Sequence, residues 1–137
     1  MKKSALVTIA VLVTMFPSVV YADGSGTATD KNDVKGVLDI KKLAVSWTDT
    51  TLSLAVTTFD SWKRKALLPE PNFIRGSFTG PEDSVKIYDV QVYTVKKSGI
   101  YKLVAPIVVD GEVVAKASAV KLAPNKVRFS FPRDTVK

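Results

Sequence analysis

An all-β fold, an antiparallel two-sheet sandwich of about seven to eight strands, is what this 137-residue sequence predicts, and three observations carry that reading. Apolar and polar residues alternate with a period of two along most of the chain, in runs rich in Val, Ile, Thr, Tyr and Phe. Gly, Pro, Asn and Asp clusters punctuate those runs at intervals of about ten residues. No helical pattern of the length that would connect parallel strands lies between them, which favours a sandwich of the immunoglobulin-like or jelly-roll type over an α/β fold.

Residues 1–22 read as a secretory signal peptide. Lys2 and Lys3 form a positive start, Ala5 to Val20 is almost wholly apolar, and Val20 and Ala22 stand at −3 and −1 of a small-residue cleavage site. The apolar run is short for a membrane span and is broken by Pro17. The expectation is export, cleavage after Ala22, a secreted, extracellular product and no stable membrane anchor afterwards. Residues 23–33 contain nothing apolar larger than alanine and read as a flexible leader, so that 34–137 form the sandwich domain.

Leu43, Val45 and Trp47, then Leu52, Leu54 and Val56, alternate on either side of Thr48-Asp49-Thr50 and predict a hairpin. Ser61 is placed to cap a short helix near 61–68 that Pro69 would stop. Asn72 to Thr79 reads as a strand closed by Gly80-Pro81. Val85 to Lys96 is a long strand whose apolar set slips from Tyr88, Val90 and Val92 to Tyr93 and Val95, as a bulge would make it. Ile100 to Val109 follows, with Pro106 arguing for an edge or a bulge. Asp110-Gly111 predicts a two-residue hairpin turn into Glu112–Leu122, where Val113, Ala115, Ala117 and Ala119 share a side. After Ala123-Pro124-Asn125, the residues Val127, Phe129 and Phe131 form the last apolar face.

Composition narrows the chemistry. The chain contains neither histidine nor cysteine, which removes histidine bases, thiol nucleophiles, zinc sites of the usual kinds and disulfide staples. No phosphate-binding glycine signature is present. The formal net charge of +7, to which Lys2 and Lys3 of the expected signal peptide contribute, reads first as ordinary solubility and second as contact with anionic polymers or surfaces. The longest basic run is the triplet Lys63–Lys65, and no nucleic-acid partner is expected. Carboxylates that could hydrolyse a glycosidic bond, Asp60, Glu70, Glu82, Asp83, Asp89 and Asp110, show no convergent spacing and sit mostly at turns.

Two constellations remain. In TDKNDVKGVLDI, the oxygen-bearing Asp30, Asn32, Asp33 and Asp39 form a weak calcium candidate beside the plainer reading of a solvated Asx-rich turn; the spacing is not that of an EF-hand. In FDSWKRKALL, Trp62 next to Lys63 and Arg64 could stack on a sugar and grip an anionic chain, or Trp62 could plug the end of the sandwich with the cations in water. The aromatic set Tyr88, Tyr93 and Tyr101 has mixed parity and reads as packing.

The stretch DVKGVLDIKKLAVSW, the later LSLAVTTFDSW and the closing VRFSFPR resemble a group of secreted β-sandwich proteins of actinobacteria and related bacteria, whose segment D-x-x-G-x-LDI precedes a hairpin and a tryptophan-bearing excursion. The resemblance runs from Asp33 to Arg133. The strand layout is more loosely similar to DOMON-like and family 9 carbohydrate-binding sandwiches, which bind haem or sugars; no histidine is here to ligate a haem. The expected function is therefore a secreted, non-enzymatic binding or structural module contacting envelope polysaccharide or another secreted protein, without an obligatory cofactor. A small carboxylate-dependent hydrolase and an accessory protein-interaction subunit are the alternatives.

Overall fold

The computed structural model describes residues 24–33, 36–68, 74–79 and 86–136. The expected signal peptide lies outside them, as does Pro69. Eight strands appear in chain order: β1 (Gly24–Thr29), β2 (Ile40–Trp47), β3 (Thr51–Thr58), β4 (Ile74–Thr79), β5 (Ile87–Lys97), β6 (Ile100–Val109), β7 (Glu112–Ala123) and β8 (Lys126–Pro132). Short 3₁₀ turns span Arg64–Leu67 and Arg133–Thr135.

All eight strands belong to one antiparallel sheet of order β1-β2-β3-β8-β7-β6-β5-β4, curved into a half-barrel. The sheet bends at β7, which changes partner midway. Glu112 to Ala117 pairs with β6, and Ser118 to Ala123 pairs with β8. Ile100 to Val104 of β6 pairs with β5 alone, so β6 and the second half of β7 diverge.

Period-two alternation places the core. Leu52, Leu54 and Val56 of β3 and Val127, Phe129 and Phe131 of β8 point inward, against Val90 and Val92 of β5, Ile74 and Phe78 of β4 and Ile107 of β6. Each such fully buried side chain contributes about 1.5–3 kcal/mol relative to exposure. Phe78 meets Phe131 edge to face at 5.4 Å. A Cβ on Gly76 would stand 3.1 Å from Phe129 Cζ and 3.2 Å from a Leu54 methyl, so β4 lies close against the side chains of β3 and β8, which would have to shift by a few tenths of an ångström to admit one.

The turns follow their residues. Ser98-Gly99 and Asp110-Gly111 carry positive φ at both positions (50° and 78°, 50° and 84°), the conformation of a tight hairpin turn matching strand twist. The Thr48 hydroxyl accepts from the Thr51 amide at 3.0 Å, and Arg133 closes the same end by donating to Thr48 O at 3.0 Å.

Several expectations change. Residues 24–29 of the expected flexible leader form β1, held by an unbroken backbone ladder to β2 from Gly24↔Trp47 to Thr29↔Lys42. The strand forms without apolar side chains because β2 supplies the hydrogen bonds and Gly24 leaves room for the Trp47 indole, which a Cβ would meet at 2.3 Å. The expected helix near 61–68 shrinks to a 3₁₀ turn preceded by Lys63, with no side-chain cap, so Ser61 does not start it. No bulge shifts β5: Tyr88, Val90, Val92 and Thr94 are buried in strict alternation, and one register with β6 runs its length. Thr94 occupies the core position that the sequence pattern gave to an apolar neighbour. Pro106 lies in the sheet's interior, not at an edge. The β5–β6 ladder skips from Val90↔Ile107 to Tyr93↔Val104 opposite it, and the β6–β7 register shifts next to it between Ile107 and Val108. That shift turns Val113 outward, 59 % exposed, away from the half-buried Ala115, Ala117 and Ala119.

Candidate binding face

Because Leu52, Phe129 and their neighbours point inward, the alternate residues of β1, β2, β3, β8 and the second half of β7 share the outer face. Strand register arranges them in rows. Ser25, Ser46, Ser53, Ser130 and Ser118 lie side by side across five strands. The next row is Thr27, Ala44, Ala55, Arg128 and Val120, and the row beyond it is Thr29, Lys42, Thr57 and Lys126. With strands about 4.8 Å apart and alternate residues about 6.8 Å apart, the serine row runs roughly 19 Å.

None of these positions is acidic; Asp30 and Asp49 lie in the flanking loops. Lys42 and Arg128 are exposed, and none of Lys42, Lys126 and Arg128 forms an ion pair among the described residues. Small hydroxyl side chains keep the surface low, and uncompensated cations stand above it. Val120 and Leu122, 45 % and 44 % exposed, form an apolar margin on β7. Such a face can present several donors at once to an extended, oxygen-rich anion.

The residues singled out from sequence are placed as follows. Trp62 is 4 % exposed and belongs to the core cluster. Its amide donates to Pro124 O at 3.0 Å, and the Lys121 ammonium lies over its ring at 4.5 Å while donating to Ala123 O and Pro124 O. Burial, and then repulsion from Arg64, hold the Lys121 amine below its usual range. The 3₁₀ turn that follows packs on β5 and β6 and buries Leu67. The segment thus covers the gap where β6 and β7 diverge, with the ring inside and Lys63, Arg64 and Lys65 exposed outside.

In the first loop, the Asp30 amide donates to Lys41 O at 3.0 Å, one position past the Thr29↔Lys42 end of the ladder. Asp30, Asn32 and Asp33 are exposed, whereas Asp39 is 4 % exposed with one carboxyl oxygen unpartnered. Asp30 Oδ1 accepts from the Lys31 amide at 2.8 Å. No group of three acidic side chains that could hold a metal ion is found among the described residues.

On the opposite half of the sheet, Asp89 accepts from Arg75 and, at 2.6 Å, from the Ser77 hydroxyl. Burial pushes the Asp89 carboxyl up, but the hydrogen bonds from Arg75 and Ser77, with the arginine's charge, outweigh it and hold the group below the usual carboxylate range. The bond to Asp89 raises Arg75 in turn. A cavity of about 390 Å³ beside the C-terminal 3₁₀ turn is lined, among the described residues, by Lys86, Tyr88, Val109, Val114, Ala115, Asp134 and Thr135, of which Asp134 alone carries a carboxylate.

The outer face was not among the sequence-derived sites. Alternation marks each serine as outward, yet only cross-strand register puts the five in a row. No protein-family profile matches the chain, no curated protein matches it in sequence, and no solved structure matches it.

Proposed function

We propose that the protein is a secreted, non-catalytic module that docks an acidic envelope polysaccharide on the outer face of β1, β2, β3, β8 and β7. The observation that carries this is an acid-free sheet face on which Lys42, Lys126 and Arg128 have no ionic partner among the described residues and stand in register with rows of serine and threonine hydroxyls. A polymer offers repeated carboxylates and hydroxyls at a spacing that a periodic surface can meet at several points. Single exposed charge contacts contribute up to about 1 kcal/mol each and are screened by salt, so affinity comes from their number. The two halves of the bent sheet then act as the layers of a sandwich joined along β7, a reading supported by the approach of Gly76 to Phe129 and Leu54.

The hydrolase alternative is less well supported. Asp89 is engaged by Arg75 and Ser77 and held below the usual carboxylate range, which does not suit it to give a proton to a leaving group, and among the described residues the cavity offers Asp134 without a second carboxylate. A stacking contact through Trp62 would require its ring to leave the core.

The test is retention on immobilised polygalacturonate against dextran of equal loading. The protein is expected to bind the acidic polymer, to release as salt rises, and to lose at least about tenfold in affinity when Lys42, Lys126 and Arg128 are all changed to Glu. Equal retention on dextran, an unaltered triple variant, or binding only to anionic lipid vesicles would each overturn the proposal. Replacing Lys63 and Arg64 by Ala instead tests the cations of the crossing segment.

A further inference from the structure

The strand β1 ends the sheet, and its outer edge has no neighbour among the described residues. Edge strands are commonly blunted by charge, proline or a bulge. Gly24–Thr29 has none of these: the sequence is GSGTAT, and its six pairs with β2 run in one register.

The hydrogen-bonding direction of each residue can be assigned. The Asp30 amide donates to Lys41 O, so Asp30 faces β2. In an antiparallel ladder, inward- and outward-bonding residues alternate. Ala28, Gly26 and Gly24 therefore bond toward β2, and Ser25, Thr27 and Thr29 turn both N–H and C=O to the open edge. These are also the residues whose side chains lie on the outer face.

We propose that β1 pairs antiparallel with β1 of a second copy of this chain, about a two-fold axis through Thr27. That register sets Thr27 against Thr27 and Ser25 against Thr29, and every outward N–H and C=O of the strand is satisfied. Centring on Gly26 would leave the groups of Thr29 without a partner in the opposing β1. A second copy suits the edge better than a foreign strand for two reasons. The pattern is its own complement under the two-fold operation, and its residues are uncharged, so two chains of formal charge +7 meet where repulsion is least. The faces keep their sense across the axis, and the hydroxyl rows of one copy continue into the other. The pairing rests on the edge alone; its consequence, a polymer-binding face of doubled width, rests on the polysaccharide reading.

The experiment is sedimentation of the purified protein over a dilution series, with cysteine cross-linking as the register test. The chain contains no cysteine, so a single Thr27→Cys reports one contact. Opposed residues of a hydrogen-bonded pair have Cα atoms about 5.5 Å apart, within disulfide reach. Two copies of Ser25 would lie about 13 Å apart, beyond it. The expected result is a concentration-dependent dimer, strengthened by salt, with Thr27→Cys forming a disulfide dimer under mild oxidation and Ser25→Cys failing to do so. Thr27→Pro removes an outward donor while sparing the ladder to β2, and Thr27→Lys sets like charges across the axis; both are expected to be folded monomers by circular dichroism and sedimentation. A monomer at every concentration, or equal cross-linking at Ser25, would overturn the pairing. Salt separates the two proposals, since it weakens polymer binding and favours the dimer.

Discussion

At the scale of single residues, Trp62 and Asp89 show how burial and charge set the part a side chain plays. Trp62 stands beside three cations in sequence, a pattern that reads either as a surface contact or as a plug with the cations in water, and its ring is 4 % exposed under the Lys121 ammonium. Replacing Trp62 by Ala is expected to cost about 3–5 kcal/mol in urea unfolding, the range for a buried aromatic, while leaving polygalacturonate affinity per folded molecule unchanged. A loss of binding without a loss of stability would return Trp62 to the ligand site. Asp89 has a folded-state pKa below its unfolded value, so the Arg75–Ser77–Asp89 group stabilises the fold above about pH 4 and stops doing so as pH falls through the depressed value. Arg75 is 36 % exposed, so the contribution is held to under about 1 kcal/mol by water. Asp89→Asn is expected to lower the melting temperature at neutral pH, and the gap from the parent chain to shrink between about pH 5 and about pH 2. A gap that is constant with pH would show that the carboxylate charge is not what matters.

At the scale of elements, hairpins were the easiest features to read. Asp110-Gly111 predicts its turn from residue type, since Gly111 sits at φ 84° where a side chain is strained. Gly111→Ala is expected to destabilise the fold by about 1 kcal/mol in denaturant titration, whereas Val113→Thr, on an exposed residue two positions on, is expected to be close to neutral. Equal effects would mean that the turn does not hold φ positive in solution. β1 was the hardest element, because GSGTAT has no apolar face for alternation to reveal; among the described residues it is the ladder to β2, with Gly24 against the Trp47 indole, that orders it. Pro106 shows the intermediate case. The bulge could be anticipated from its missing donor, but its place in the interior could not, because that depends on β7 coming to lie on the far side.

At the scale of the whole molecule, one bend accounts for most of the architecture. β7 leaves β6 and joins β8, so the sheet folds back until β4 lies over β3 and β8. The crossing segment with Trp62 and Leu67 fills the gap that this opens. The same bend leaves the five-strand outer face exposed. Affinity for the acidic polymer is expected to scale with the number of cations retained there, so single reversals of Lys42, Lys126 and Arg128 should each lose part of what the triple variant loses, as salt-dependent retention would measure. If one reversal alone abolished retention, the contact would be a point site rather than a face.

The sequence by itself determined the strand-rich class, the hairpin turns, the inward sets of β2, β3 and β8 and the absence of histidine and thiol chemistry, because alternation, turn conformation and residue type are local properties. Only the tertiary structure decided that the strands close into one bent sheet, that a glycine- and threonine-rich leader becomes its edge, that Trp62 turns inward and that five serines from distant positions fall into one row. Those outcomes depend on register between strands remote in sequence, which is set by how the layers pack rather than by any residue's own preference.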